Sequence, residues 1–471
     1  MVKKLLTRSK AAMLLLLLIL FAAGPLLEAC DRGLHGGRVS GLPSDAPPSE
    51  EGASGSGGPV TISFWFPWGG GFKQEFYDTV VRPFEDANPD IKVELTFVEN
   101  SNNSQSSEKL LTAVAGGTGP DVAMVDRFIV SEWAAKGALE DVTEEARAEG
   151  IAGIYYPAVW SETQYAGRTY ALPWNVDTRA MFYNKTLMKQ AGLDPEKPPQ
   201  TIAELDAMAA RMFKTGAAGK FDQVGFIPWQ AQGFLYTYGW AFGGEWERGG
   251  KLTPNDPRNV TALAWMQGYG KQYGAGQLAA FADELRQANL HPFLSGRVGF
   301  VIEGNWLLND LPRANFEWGV APMPTIDGGS QVTWAGGWSF AMPKGAKHRE
   351  QAWRFMRFVA GKEGSLLWAG RVAGKNDLTC VPEVNAQLGL DAQEPLDVFV
   401  KLLQHARIRP VTPVGGYMWD ELVRAQNLAV KGQGDPQALL DGVKRHLDAR
   451  LSAMERSRSV SGGPLGDPRY D

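Results

Sequence analysis

Cysteine is nearly missing: the 471 residues hold two, Cys30 and Cys380. A disulfide framework is therefore excluded, and stability has to come from the size of an apolar core. Histidine is scarce as well. The five, His35, His291, His348, His405 and His446, are scattered, and none pairs at metal-ligand spacing. No metal or cofactor is expected. Positive charge is not in excess, with 47 basic against 52 acidic residues. That balance argues against a nucleic-acid partner, whose affinity would come from Lys and Arg neutralising phosphates. No Walker loop is present, so the chain is not an ATPase. Gly274-Ala275-Gly276-Gln277-Leu278-Ala279 looks like a dinucleotide loop but follows a helical pattern instead of a strand. Gly337-Trp338-Ser339-Phe340-Ala341 lacks the second glycine of a nucleophile elbow.

The long apolar run near the start, Ala11 to Ala23, is shorter than the roughly 18 residues a membrane span needs. Lys3, Lys4, Arg8 and Lys10 precede it and Leu27-Glu28-Ala29-Cys30 follows. Basic residues, a short apolar core and small residues in series describe a secretory signal peptide over 1–29, and so an extracytoplasmic protein. Cys30 stands where a lipoprotein signal places the residue that becomes the lipid-bearing N-terminus. The segment resembles the bacterial lipobox, with Glu28 an unusual occupant of its second-last position. Residues 30–59 are Gly, Ser, Pro and acidic residues with almost no large apolar side chain. Such a composition cannot offset its ordering entropy and is expected to be a flexible leash.

Without residues 1–29 the chain carries 43 basic and 51 acidic groups, net −8. The body from residue 60 is roughly 400 residues, beyond the size at which one core keeps growing, and two lobes are expected. Pro59-Val60-Thr61-Ile62-Ser63-Phe64-Trp65-Phe66 alternates polar and apolar as a strand does, and ends at a Gly-rich loop holding Trp68. A helix over about 72–85, a strand over 91–98, a helix over 107–115 and a strand over 121–125 complete a β-α-β-α-β run, the mark of an α/β lobe. Ligands in such sheets lie outside the carboxyl ends of the strands, which points to the loops at Trp68 and Asp126. Thr201-Ile202-Ala203-Glu204 reads as a capping box. Residues 205–310 read as mostly helical. Strands are expected at 318–323 and 337–342, helices at 348–359, 396–403 and 418–431, and a disordered tail over 457–471.

Seven segments in series, VTISFWFPW, FYDTVVRPFEDANPDIKVEL, GGTGPDVAMVD with WAAKGALEDVT, YALPWNVDTRAMFYNKTLMKQAGLDP, FLSGRVGFVIEGNWLL, WGVAPMP and GGWSFAMPKGAKHREQAWRFMRFVAG, together resemble the extracellular solute-binding proteins of ABC importers, in the branch that takes up sugars and includes the maltose-binding type. The resemblance implies the type II periplasmic-binding-protein fold, with a ligand cleft between lobes joined by a multi-segment hinge. It implies lobe 1 over 60–175 and 334–375, and lobe 2 over 176–333 and 376–456. It further implies capture of a mono- or oligosaccharide, delivery to ABC permease subunits, attachment to the membrane through the lipid on Cys30, a monomer, and no enzyme activity.

A sugar offers an apolar ring face and a girdle of hydroxyls, so its receptor needs flat aromatics and bidentate polar groups. The chain has 16 tryptophans. Trp68 lies in a Gly-rich loop, Trp174 and Trp338 at the expected crossovers, and Trp229, Trp306 and Trp419 complete the aromatic candidates. By resemblance Trp306 and Trp419 correspond to stacking aromatics, and Asp126 with Arg127 to an acid–base pair that holds hydroxyls. Asp177, Asn175 and Gly337 are candidates at the hinge. Arg371 and Arg407 are the cations an anionic ligand would need. Asn102 and Asn103 are weaker candidates in a polar loop. Trp133, Trp265, Trp353 and Trp368 sit on helical apolar patterns and are expected in the core. Two other readings stay open. One is a glycoside hydrolase using two of Glu303, Asp177 and Asp126. The other is a tethered receptor for a glycerophosphodiester-type ligand.

Overall fold

The computed structural model describes residues 58–98, 108–371 and 376–461. The expected signal peptide, Cys30, all but the last two residues of the expected leash, Asn102 and Asn103 lie outside the described residues. In chain order the first lobe opens with β1 (Val60–Phe66), a helix α1 that starts at Gly70–Phe76 and runs through a π-helical turn, Tyr77–Val81, into Arg82–Ala87, then β2 (Ile91–Phe97), α2 (Glu108–Ala115), β3 (Val122–Asp126), α3 (Val130–Ala135) and β4 (Ala171–Pro173). There follow β5 (Asn175–Val176), β6 (Arg179–Asn184), α4 (Ile202–Met212), β7 (Phe300–Gly304), β8 (Trp318–Ala321), β9 (Thr333–Trp334), β10 (Trp338–Ala341) and α5 (Arg349–Ala360). The chain closes with α6 (Lys362–Ala369), β11 (Leu378–Thr379), α7 (Leu396–Leu402), β12 (Ala406–Arg407), α8 (Gly415–Val430) and α9 (Pro436–Ser461).

Two sheets carry the architecture. The first has strand order β2-β1-β3-β10-β4, with β1 parallel to both β2 and β3 and with β10 antiparallel to β3 and β4. Its inner face is set by the alternation read in the sequence. Ile62, Phe64 and Phe66 are fully buried, and Phe64 meets Phe340 at 5.5 Å and Phe355 of α5 at 5.3 Å. Each such ring contributes about 1.5 to 3 kcal/mol by leaving water. The second sheet, β7-β6-β8, is antiparallel throughout. The capping box opens α4 as expected: Glu204 N donates to Thr201 Oγ1 and Thr201 N donates to the Glu204 carboxylate, both at 3.1 Å.

Two readings are corrected. Phe300–Gly304 is a strand inside the stretch read as mostly helical. All five of its residues are buried, so the period-2 alternation that betrays a half-exposed strand is missing. The last helix reaches Ser461, past the expected start of the tail at 457, while 462–471 lie outside the described residues. Among the described residues no helix is long and apolar enough to cross a membrane, and no group of three His, Cys, Asp or Glu side chains is placed to hold a metal ion.

The two sheets are joined by a ribbon of short paired segments. β11 pairs antiparallel with β5, Asp177 bridges Gly336, and β9 runs parallel to β12. Chain crossovers at 174–178, 333–337 and 406–412 therefore lie side by side. Parallel pairing of β9 with β12 puts the third crossover, far away in sequence, in line with the other two.

Candidate functional site

Beside this ribbon, at the carboxyl ends of β1 and β3, lies a cavity of about 350 Å³. Trp68, Phe72, Asp126, Trp174, Asn175, Asp177, Arg179, Gln232 and Phe234 line it, together with Trp306, Trp334, Gly336, Gly337, Trp338, Trp368, Asp377, Arg409 and Trp419. Its walls are of two kinds. One end is a cluster of rings held by one another: Trp68 meets Trp338 edge to face at 4.9 Å and Phe72 at 5.1 Å, and Trp368 meets Phe72 at 5.1 Å and Trp174 at 5.6 Å. The opposite end has Phe234 against Trp419 at 4.7 Å and Trp334 at 5.8 Å. Trp68, Phe72, Phe234, Trp306 and Trp338 keep part of their surface open, whereas Trp174, Trp334, Trp368 and Trp419 are buried.

Between the rings runs a polar seam. Arg409 Nη2 donates to Asp126 Oδ1 at 2.9 Å, and Phe128 N donates to the same oxygen at 3.2 Å. Asp177 Oδ1 accepts from Arg179 Nη1 and, at 3.1 Å, from Gly336 N. Asn175 Oδ1 accepts from Trp338 N at 2.8 Å, and Gln232 Oε1 accepts from Arg179 Nη2 at 3.2 Å. Because a backbone N–H and a guanidinium can only donate, these contacts fix which way both amides face. The guanidiniums are further engaged with aromatic rings: Arg179 lies 3.8 Å from the Trp334 ring centre, and Arg409 lies 3.6 Å from that of Phe128 and 4.6 Å from that of Trp334. Burial pulls the Arg179 guanidinium below its ordinary value against the opposing pull of Asp177, and the charge of Arg409 adds to the fall.

What remains on offer is a set of complementary groups. Asp126 Oδ2 and Asp177 Oδ2, both acceptors, and Asn175 Nδ2 and Gln232 Nε2, both donors, have no partner among the described residues. A hydroxyl both donates and accepts, so a ring of hydroxyls matches such a set.

Of the residues expected from sequence, Trp68, Asp126, Trp174, Asn175, Asp177, Trp306, Gly337, Trp338 and Trp419 are brought together around the cavity. Three are not. Arg127 turns away from Asp126, since consecutive side chains at a strand end point oppositely, and is buried against Glu162 at 3.0 Å. Trp229 packs against a small core of lobe 2 that includes Phe221, Ile227 and Phe281. Arg371 lies over the Trp368 ring at 3.2 Å and binds Asp377 at 2.6 Å and Glu75 at 3.2 Å, so its charge is spent inside the protein. Arg407 also stays out, exposed and 3.6 Å from Glu245. Glu303 is buried against His291 at 3.1 Å and is not part of the lining. Trp368, expected in the core, is buried as expected, yet its ring closes one end of the cavity.

Phe72, Arg179, Gln232, Phe234, Trp334, Gly336, Asp377 and Arg409 were not read from sequence. One had a usable signal: Arg179 lies two residues beyond Asp177, already singled out, on the same face of an extended segment. The others reach the cavity through tertiary packing alone.

A cavity laid against the connections between two α/β lobes is the arrangement of a two-lobed binding protein, which holds its ligand where the lobes meet. Residues 67–365 match the sequence model of the bacterial extracellular solute-binding proteins, and the chain belongs to that family. A Brucella abortus protein named as a binding protein is 26% identical over 80% of this chain and 90% of its own length. The maltotriose-binding protein of Pyrococcus abyssi is 25% identical over 74% of this chain and 73% of that protein. The sn-glycerol-3-phosphate-binding periplasmic protein of Salmonella paratyphi A is 25% identical over 71% and 78%. Among solved structures, the mannotriose-bound protein CpMnBP1 superposes with a TM-score of 0.72 at 26% identity, covering 82% of this chain and 99% of that one. The maltotriose-bound maltose/maltodextrin-binding domain of Bdellovibrio bacteriovorus, at 20% identity and a TM-score of 0.68, shares the fold.

Proposed function

We propose that this chain is an extracytoplasmic receptor that captures an uncharged mono- or oligosaccharide between its lobes and delivers it to an ABC permease, tethered through a lipid on Cys30 and acting as a monomer. The observation that carries this reading is the seam of unengaged acceptors and donors, Asp126 Oδ2, Asp177 Oδ2, Asn175 Nδ2 and Gln232 Nε2, flanked on both sides by aromatic rings. Vicinal hydroxyls fit the seam and pyranose faces fit the rings. The cavity volume of about 350 Å³ equals that of about a dozen waters at about 30 Å³ each, room for roughly one to two sugar rings.

The named ligands of the relatives divide between an oligosaccharide and a phosphate ester, and the seam favours the first. Both arginines that face the cavity are bound to carboxylates, and a phosphate would meet Asp126 and Asp177. A hydrolase reading has little support. Its proton donor would need a carboxyl kept protonated by apolar, unpaired surroundings; Asp126 and Asp177 are ion-paired, and Glu303 does not line the cavity.

The test is a titration of the purified chain with neutral sugars, polyols, sugar phosphates and glycerophosphodiesters, followed by Trp fluorescence and calorimetry. Stoichiometric binding of a neutral sugar recovered chemically unchanged is the expected result. Preferential binding of a phosphate ester, or cleavage of the sugar, would overturn it.

A further inference from the structure

Arg127, which sequence reasoning placed in the ligand site, stands instead at the junction of the segments that build it. The side chain is fully buried. Its Nε donates to Glu162 Oε2 at 3.0 Å, its Nη2 to the Gly336 carbonyl at 2.6 Å, and its Nη1 to the Asn175 carbonyl. Its backbone N–H donates to the Gly337 carbonyl at 3.1 Å. One guanidinium thus ties the end of β3 to both of the first two crossovers, on the residues that carry or adjoin Asn175, Asp177 and Trp338. The fit leaves no slack. Gly337 has φ +139°, and a Cβ there would collide with Arg127 Nη1 and with the Asn175 carbonyl. A planar fork spreads its donors over three nitrogens and so meets three separated acceptors, whereas an ammonium carries all three donors on one nitrogen.

We infer that Arg127, backed by Glu162, is the positioning residue of this receptor. It pins both crossovers to the first lobe and thereby sets the spacing of the cavity's acceptors and donors without touching the ligand. The inference rests on the sugar-capture reading for its binding readout, and has a second readout that does not.

The experiment compares the native chain with Arg127→Lys and with a core variant of similar thermal cost remote from the crossovers, Phe355→Leu. Amide hydrogen exchange is measured without ligand, and Kd for whichever neutral sugar the native chain binds. For Arg127→Lys, exchange at Asp177 and Gly336, whose amides bond each other's carbonyls across the crossovers, is expected to rise about tenfold, with β1 unaffected and Kd weakened about tenfold. Phe355→Leu is expected to move neither. Protection and Kd within twofold of native in Arg127→Lys, with only the melting temperature lowered, would reduce Arg127 to packing and overturn the inference. If Arg127→Lys does not fold, Glu162→Gln carries the same comparison with a smaller shift. If the native chain binds no sugar, the capture reading fails, and exchange at the crossovers still decides the role of Arg127.

Discussion

The aromatic ends of the cavity and the polar seam between them are held in different ways. The rings support one another chiefly by edge and face contacts at about 5 Å, with guanidiniums over Trp334 and Trp368 besides. The seam is held by hydrogen bonds, most of them charge-assisted, whose partners lie on three separate crossovers. A ring can be lost from its cluster with local consequences, because dispersion is summed over many small contacts. Removing one member of a buried ion pair leaves an uncompensated charge, and its cost spreads to everything the partner positions.

This contrast can be broken in order of expected effect. Asp177→Ala strands the Arg179 guanidinium in a site where both side chains are nearly inaccessible, and a loss of about 3 to 5 kcal/mol of stability is expected in urea unfolding. A loss under 1 kcal/mol would show that the seam is no more tightly coupled than the rings. Trp306→Ala removes a partly open ring from one side of the cavity. At about 100 Å² of apolar contact and 25 cal/mol/Å², sugar binding should weaken by about 2.5 kcal/mol, with urea stability changing far less. Equal losses in stability and affinity would erase the distinction between rings and seam. Gln232→Met keeps the volume but gives up the bond to Arg179 Nη2 and the free amide donor, and calorimetry should register about 1 kcal/mol in binding.

The smallest effect concerns the thiol behind the seam. Burial pushes Cys380 up to about 12 from an ordinary 9.0, against the lowering pull of Arg127. Between those values the unfolded chain has released the proton and the folded chain has not, so folding stability should fall as pH rises from about 9 to 12. At neutral pH the thiol should stay unreactive to thiol reagents until the protein unfolds. Rapid labelling of the native chain would mean that the crossovers open far more readily than the seam's bonds imply.

The sequence was most readable where structure is local. β1, the run that follows it and the Thr201 capping box were visible because alternation, turn residues and caps act over a few positions. Five of the nine rings that line the cavity, Trp68, Trp174, Trp306, Trp338 and Trp419, were read as candidates, Trp306 and Trp419 by resemblance. Phe300–Gly304 was missed because burial on both faces removes its pattern, and Gln232, Asp377 and Arg409 because nothing near them in the chain marks them.

By itself, then, the order of residues determined an α/β chain with two lobes, a site at the ends of the first strands, and most of the rings that line it. The strands and the site at their ends follow from periodicity and the α/β pattern, the two lobes from chain length, and Trp306 and Trp419 from the resemblance to solute-binding proteins. Tertiary structure alone decided which arginine faces the cavity and which is buried beneath it. Arg127 stands beside Asp126 in sequence yet points away, and Arg409 arrives from 283 residues farther on to take the place at Asp126. A charge finds its partner through space, and the pairing of crossovers remote in the chain fixes that distance.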